Sequence, residues 1–424
     1  MSVGSSLHEA APNPRRPPDE QVVPVFRDFI RTHIFERFPL VVGIALGFSH
    51  CILVAWGFAI ARGPGSIPFS WLFGSALLLA LGNGLLMPRV GMAQPRGRIG
   101  AWLGQGYVAS GFGAIVLAAG VGAVTFAFAI AVPLLAFAGL SAEAGLACYR
   151  AASIVAVAGL GGALAWGFRY GDRHLEVTLL EVPIPGLTAR LRGLRVAHLS
   201  DLHIGNGTED ARLAAIVEKT NALVPDLVVI TGDLFDHDPR HLRAGAERLA
   251  GLRAPLGVYA VLGNHDLMTG KELVADALAR HAPRLRLLRD ACVRLPAGAP
   301  LYLAGIEDPG RDWTEHGHGL ATIEKLAAAA PSDGPMLLLV HRPDAFAQAA
   351  ALGFRLVLAG HFHGGQLALP VGDGRWNAAR FLTPYHRGLY RLGEATLYVS
   401  RGLGFAGPRV RFGSRPEIAV LELV

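Results

Sequence analysis

Five short apolar runs between residues 196 and 359 each end in side chains that can bind metals. Each run has the length and composition of a buried β-strand. In chain order, the polar ends are Ser200-Asp201-Leu202-His203, Gly232-Asp233, Gly263-Asn264-His265-Asp266, His341 and Gly360-His361-Phe362-His363. Because ligands bind beyond the carboxyl ends of strands in open α/β sheets, the pattern predicts that these side chains meet at one edge.

The donor types in this set favour two transition-metal ions at one centre. Carboxylate and amide oxygens occur together with imidazole nitrogens, which suits Mn²⁺, Fe or Zn²⁺ better than Ca²⁺ or an all-thiolate zinc site. One cation rarely takes so many protein ligands, whereas two cations can share a bridging carboxylate. Two metals about 3.5–4 Å apart are a common device for hydrolysing phosphoesters. The candidate ligands are Asp201, His203, Asp233, Asn264, His341, His361 and His363.

These motifs resemble those of the calcineurin-like metallophosphoesterase superfamily, and every ligand position of the family blocks is present. The resemblance extends from about residue 194 to the C-terminus. Two further stretches, His363-Gly364-Gly365-Gln366 and Ser400-Arg401-Gly402-Leu403-Gly404, resemble the membrane-attached bacterial branch. The resemblance implies an α/β fold, the four-layer α-β-β-α sandwich, for this part of the chain.

Matching the family blocks residue by residue implies how the ligands are divided between two metals. A metal-bridging hydroxide would attack phosphorus, while the metals stabilise the charge that develops on the phosphoryl oxygens. The first metal would be held by Asp201, His203 and His363. The second would be held by Asn264, His341 and His361, and Asp233 would bridge both.

Residues beside the ligands are candidates for catalytic roles. By the same resemblance, His265 donates a proton to the departing alkoxide, a task that suits imidazole. The next residue, Asp266, either orients the His265 ring or caps the following helix. Arg401 either contacts a phosphate of the substrate or forms a structural salt bridge. His198 lies inside the first strand and is predicted to be a packed histidine.

The first 170 residues carry most of the hydrophobic excess of a chain with a mean hydropathy of +0.38. Apolar stretches occupy residues 39–61, 68–87, 101–140 and 151–168, and segments of this length suit a hydrocarbon core about 30 Å thick. The third stretch is interpreted as an interfacial lead-in and one tilted span near residues 112–137. The prediction is an all-α transmembrane region of about four helices, and the alternative is five spans with a turn near Gly120-Val121-Gly122.

The predicted organisation is a flexible tail at residues 1–37, a transmembrane helical region at 38–170 and a metallophosphoesterase domain at 171–424. With four spans, the arginine-rich flanks fall on one side of the membrane, which the positive-inside rule assigns to the cytoplasm. We therefore expect a multi-pass protein of the bacterial inner (plasma) membrane with a cytoplasmic catalytic domain, whereas five spans would place that domain outside. The flanking residues are Arg27, Arg31, Arg37, Arg89, Arg96, Arg98, Arg169 and Arg173.

The indicated function is that of a membrane-anchored, dinuclear metal-dependent phosphohydrolase. It would cleave a phosphomonoester, phosphodiester or pyrophosphate bond in a phosphate-containing substrate, with lipid-linked substrates at the bilayer surface included. Hydrolysis of UDP-diacylglucosamine is one activity known in related family members. The alternative class is a membrane receptor or scaffold that uses the fold for binding, but the intact ligand set favours an enzyme. No nucleic-acid partner is expected, because the net charge of +6 comes mostly from scattered arginines with few aromatic residues between them.

Overall fold

The computed structural model describes residues 38–62, 69–86, 97–137, 139, 141–171, 173–310, 318–369, 374 and 376–424. The described chain forms two compact units, one ending at Tyr170 and the other beginning at Gly171. The predicted tail at residues 1–37, with its arginines, lies outside the described residues, as do Arg89 and Arg96.

The described part of the first unit is helical throughout. Helix α1 packs against α2 and α3, and α4 packs against α3. Gly47 allows the close approach of α1 to α2, because a Cβ there would lie 2.4 Å from the backbone N of Ala80. In chain order, the helices are α1 Phe38–Arg62, α2 Phe69–Leu86, α3 Gly97–Phe137 and α4 Ala142–Tyr170.

Three of these helices, α1, α3 and α4, are long and apolar enough to cross a membrane, whereas the described apolar part of α2 is the shorter segment Phe73–Asn83. Helix α3 has 41 residues without a break, and its most apolar part is Gly106–Leu134. A Cβ at Gly120 would lie 2.2 Å from Cδ1 of Leu160 in α4. Because α3 continues through Gly120-Val121-Gly122 as one helix, the five-span alternative loses the turn that it requires.

Two six-stranded sheets form the centre of the second unit, and their strands are numbered in chain order. The spatial order of the first sheet is β1 Glu176–Val182, β12 Glu417–Leu423, β2 Arg195–Leu199, β3 Leu227–Thr231, β4 Val258–Val261 and β5 Leu285–Leu287. The order of the second is β10 Gly388–Leu392, β11 Ala395–Val399, β9 Leu356–Ala359, β8 Met336–Leu339, β7 Tyr302–Gly305 and β6 Ala291–Arg294. Strands β2 to β5 are mutually parallel, as are β7, β8, β9 and β11.

Helices cover the outer face of each sheet. Successive side chains in a strand point to opposite faces, so Val228 and Ile230 of β3 pack under the helices of the first sheet, while Val229 faces the second sheet. Leu338 of β8 packs likewise under the helices of the second sheet. This layering confirms the predicted α-β-β-α sandwich. The helices are α5 Asp210–Ala222, α6 Leu242–Leu249 and α7 Asn264–His281 on the first sheet, and α8 His318–Ala329 and α9 Phe346–Ala351 on the second.

Helix α7 begins directly at the ligand position Asn264. It is interrupted at Gly270, where φ is 109°. The carboxylate of Asp266 accepts the backbone N–H of Gly263 at 2.9 Å, which closes the first turn. As a result, Asn264 and His265 are held on a helical turn that starts at the edge of the sheet.

Candidate metal centre

The structure brings all the predicted ligands together at the carboxyl edge of the two sheets. Parallel strands end at a common edge, so residues that are distant in sequence become neighbours there. The ligands follow the ends of five strands: Asp201 and His203 follow β2, Asp233 follows β3, Asn264 follows β4, His341 follows β8, and His361 and His363 follow β9.

One buried group consists of Asp201, His203 and His363, whose ligand atoms lie within 4.8 Å of one another. The Nε2 atoms of His203 and His363 are 3.0 Å apart. Nε2 of His363 also lies 3.4 Å from Oδ1 of Asp201. Two imidazole nitrogens and a carboxylate therefore converge on one point, which is an arrangement that suits a divalent cation.

A second group consists of Asp233, His341 and His361, with Asn264 beside it. Nε2 of His341 lies 3.1 Å from Nδ1 of His361 and 3.1 Å from Oδ1 of Asn264. The neutral amide adds an oxygen donor without adding negative charge. This group therefore combines one carboxylate, one amide oxygen and two imidazoles around a second point.

Asp233 lies between the two groups. Its Oδ2 is 3.5 Å from Nε2 of His203 and 3.2 Å from Nε2 of His341. Its Oδ1 accepts the backbone N–H of His265 at 2.8 Å. Burial opposes ionisation of this carboxyl, but His341 and His265 outweigh burial and hold the pKa of Asp233 well below its usual range. Asp233 therefore lies in the position of a bridge, and its lowered pKa favours the charged carboxylate.

The backbone at five ligand positions is in the left-handed region. The φ angles, in chain order, are 51° at Asp201, 44° at His203, 52° at Asp233, 76° at His361 and 51° at His363. This conformation is disfavoured for residues with a Cβ and persists only where the surrounding structure enforces it. Such strain clusters at functional sites, and here it aims the ligand atoms inward from the ends of three strands.

The donor set fits two divalent metals. Nε2 of His203 faces Nε2 of His363 at 3.0 Å, and Nε2 of His341 faces Nδ1 of His361 at 3.1 Å, while the other nitrogen of His203, Nδ1, lies 3.6 Å from Oδ1 of Asp236. Hydrogen bonding among neutral rings does not satisfy all of these nitrogens, whereas cations would use their lone pairs. The mixture of nitrogen and oxygen donors suits Mn, Fe or Zn.

His265 lies beside this centre, and Asp236 holds its ring. Nδ1 of His265 is 2.5 Å from Oδ1 of Asp236. Burial would lower the pKa of His265, but Asp233 and Asp236 outweigh it and raise that pKa to about 9. No motif in the sequence marks Asp236. Its position three residues after Asp233, in a turn that leaves the same strand end, is the signal that could have found it.

Asp266 has a different role from the one suggested by its position next to His265. Its carboxylate accepts backbone N–H groups from Gly263 at 2.9 Å, Leu234 at 3.1 Å and Phe235 at 2.9 Å. Of the two roles left open by the sequence, these contacts favour the helix cap, and the carboxylate that contacts the His265 ring is that of Asp236. Asp266 is therefore a positioning residue that ties the loop after β3 to the start of α7.

Arg401 forms a buried salt bridge. Its Nε donates to Oε2 of Glu417 at 2.6 Å, and its Nη2 lies 3.0 Å from Oε1 of Glu176. The backbone N–H of Arg401 also donates to Glu417, at 2.8 Å. Of the two roles considered for Arg401, these contacts favour the structural salt bridge. His198 is fully buried, with Nε2 2.7 Å from Oγ1 of Thr231, in agreement with a packed histidine.

Arg411 is a second residue that sequence reasoning missed. Its guanidinium is almost fully buried, and its Nη2 lies 3.2 Å from Nδ1 of His363. The remaining donors bond to the backbone carbonyls of Arg401, Gly404 and Ser414. Arg411 therefore supports the His363 ring from the side opposite the ligand atom, and no local motif marks it.

The sequence of this chain matches known proteins of one family. The family described as calcineurin-like phosphoesterase matches residues 194–365. The uncharacterized metallophosphoesterase YkuE of Bacillus subtilis is 30% identical over 277 residues, which cover 62% of this chain and 92% of YkuE. This chain belongs to the calcineurin-like metallophosphoesterase family. The resemblance drawn from the five motifs is thereby confirmed.

Two further relatives of this metallophosphoesterase carry more specific names. A zebrafish (Danio rerio) transmembrane protein with metallophosphoesterase domain is 36% identical over 256 residues, covering 58% of this chain and 57% of the relative. This metallophosphoesterase therefore spans less than two thirds of the length of that protein. The UDP-2,3-diacylglucosamine pyrophosphatase LpxG of Chlamydia trachomatis is 27% identical over 319 residues, covering 61% of this chain and 92% of LpxG.

Proposed function

We propose that this protein is a membrane-anchored phosphohydrolase that uses two divalent metals to cleave a phosphoester or pyrophosphate bond in a lipid-linked substrate. The observation that carries this proposal is the position of Asp233, whose Oδ2 lies 3.5 Å and 3.2 Å from an imidazole nitrogen of each ligand group. A carboxylate shared between two such groups is the arrangement that dinuclear phosphoester hydrolysis uses.

The ligands divide between the metals as the two groups divide in space. When bound, the metals supply a water nucleophile of lowered pKa and stabilise charge on the phosphoryl oxygens. Asp233 would contact both metals, and its negative charge would screen their mutual repulsion. The first metal would be held by Asp201, His203 and His363, and the second by Asn264, His341 and His361.

His265 is positioned to donate a proton to the leaving oxygen. Its Nδ1 is engaged by Asp236 at 2.5 Å, so its Nε2 is the atom that faces a substrate. The His265 side chain keeps 19% exposure, which allows contact with a bound ester. The Asp236 carboxylate fixes the ring orientation and stabilises the protonated imidazole between turnovers.

Three observations support a lipid-linked substrate at a membrane. Helices α1, α3 and α4 are long and apolar enough to span a bilayer. The zebrafish relative is named as a transmembrane protein. LpxG is named for a diacylated, nucleotide-linked substrate. The proposed location is the inner membrane. With α2 as the fourth span beside α1, α3 and α4, the arginine flanks indicate the cytoplasmic side for the catalytic domain.

The test uses the purified full chain in nanodiscs with Mn²⁺. UDP-2,3-diacylglucosamine and bis(p-nitrophenyl) phosphate are compared as substrates, with Asp233→Asn as the inactive control. We expect metal-dependent hydrolysis of both, with the higher kcat/KM for the lipid-linked pyrophosphate. Hydrolysis of the soluble ester alone would contradict the lipid-linked substrate. No hydrolysis of either by metal-loaded protein would favour a receptor or scaffold.

A further inference from the structure

We propose that the edge of the catalytic unit that holds the metal centre also carries a surface that binds the lipid bilayer. The surface consists of Leu369, Trp376, Arg380 and Phe381 and is called the aromatic rim below. The occupant that we assign to it is the headgroup layer of a membrane. This binding is separate from hydrolysis and does not depend on which bond the centre cleaves.

The apolar side chains of the aromatic rim are exposed together. Leu369 is 57% exposed, Trp376 54% and Phe381 60%. The backbone N–H of Leu369 donates to the carbonyl of Trp376 at 2.9 Å, so these two residues lie side by side on paired segments. Large apolar side chains that are exposed as a group, rather than singly, mark interaction sites.

The chemistry of the aromatic rim suits a lipid headgroup layer. The guanidinium carbon of Arg380 lies 4.3 Å from the ring centroid of Trp376 and 5.9 Å from that of Phe381. Tryptophan is enriched where membranes meet water, because its ring is apolar and its N–H is polar. The guanidinium of Arg380, which lies against both rings, brings a positive charge that suits a lipid phosphate.

A residue next to the aromatic rim in sequence, Asn377, packs against the loop that carries two metal ligands. Gly365 follows His363 by two residues, and a Cβ there would lie 2.5 Å from Oδ1 of Asn377. Asn377 is the immediate neighbour of Trp376. A further exposed apolar side chain near the centre is Met268, three residues after His265. Lipid bound at the aromatic rim would therefore lie close to the metal centre.

The direction of β1 argues for a membrane rather than another occupant. Strand β1 is parallel to β12, which is antiparallel to β2, so β1 begins at the edge where β2 ends. The chain from α4 thus enters the catalytic unit at the edge that carries the metal centre. Only residues 171–175 separate the end of α4 from the start of β1, and α4 is itself long and apolar enough to cross a membrane. A membrane-spanning helix is therefore joined by a short linker to this edge, which favours a bilayer as the occupant.

The test measures how deeply the aromatic rim enters a bilayer. The full chain, with its three cysteines replaced by alanine, is placed in nanodiscs of phosphatidylcholine and phosphatidylglycerol. A spin label is attached at Phe381→Cys, and its accessibility to O₂ and to a water-soluble Ni²⁺ chelate is measured. The matched control is Val224→Cys, because Val224 is 74% exposed and precedes β3, at the opposite edge of the sheet.

We expect the ratio of O₂ to Ni²⁺ accessibility to be several-fold higher at position 381 than at 224, and to fall when Trp376→Ser and Arg380→Glu are added. Equal ratios at both positions would overturn the proposal. Dipolar coupling between the labels of two chains, seen whenever the ratio is high, would identify a second copy of the protein as the occupant. That result would also overturn the proposal. Hydrolysis of bis(p-nitrophenyl) phosphate by the labelled variants, measured in parallel, separates a failure of this proposal from a failure of the proposed function.

Discussion

Replacing Asp236 by asparagine should slow the hydrolysis of esters with poor leaving groups while both metals stay bound. Oδ1 of Asp236 lies 2.5 Å from Nδ1 of His265, and the Asp236 side chain is only 9% exposed. A hydrogen bond to a charged group contributes about 1.5–3 kcal/mol, and asparagine keeps the shape while removing the charge. Since 1.36 kcal/mol corresponds to tenfold in rate, kcat should fall by about 10- to 150-fold.

The assay compares an alkyl phosphodiester with an aryl phosphodiester, because only the alkyl leaving group needs protonation. His265→Ala should lower kcat for the alkyl ester by about 10²- to 10⁴-fold and for the aryl ester much less. The double variant, with Asp236→Asn added to His265→Ala, should be no slower than His265→Ala alone. Each variant is checked for two metals per chain by elemental analysis.

Two results would refute this reasoning. Equal losses on both esters would show that Asp236 and His265 do not act on the leaving group. The decreases in kcat caused by the two single substitutions could instead multiply in the double variant. If Asp236→Asn also lost one metal, Asp236 would act through His203. The Nδ1 of His203 lies 3.6 Å from Oδ1 of Asp236, so this second pathway has a structural basis.

The remaining predictions concern the bridge, the buried salt bridge and the topology. Asp233→Asn should abolish turnover and lower metal content, and normal activity with two bound metals would contradict the bridging role. Glu417→Gln should destabilise the catalytic unit by about 3–5 kcal/mol, because it leaves the Arg401 guanidinium buried without its main counter-charge. Denaturant unfolding checks this, with Glu247→Gln as the exposed control, whose effect should be small. Alkaline phosphatase is active only outside the cytoplasm, so a fusion after Arg173 should be inactive. Strong activity of the fusion would place the catalytic domain on the outer face.

The fold and the ligand positions could be predicted because both depend on local sequence. A run such as residues 227–230 is apolar on every position, since β3 is buried on both faces. Its abrupt end at Gly232-Asp233 marks the edge of the sheet. The short strands Leu285–Leu287 and Ala291–Arg294 were not predicted, because three or four residues are too few to show a period.

The supporting residues of the centre could not be predicted, because their contacts join distant segments. Arg411 reaches His363 across 48 positions, and nothing in its immediate sequence distinguishes it from any other arginine. Asp236 contacts His265 across 29 positions, while Asp266, which is adjacent to His265, instead satisfies the backbone of another loop. Adjacency in sequence was a poor guide here, because a side chain on the first turn of a helix points away from its neighbour.

The left-handed backbone at five ligand positions sets selection for stability against selection for activity. Aspartate and histidine adopt positive φ more readily than most residues with a Cβ, so the strain at Asp201, His203, Asp233, His361 and His363 is at most about 1–2 kcal/mol for each residue. Glycine or asparagine at any of these positions would relieve strain and remove a ligand donor or weaken it. In a lineage that no longer needs catalysis, these five codons should therefore be among the first to drift, and always toward residues that tolerate positive φ.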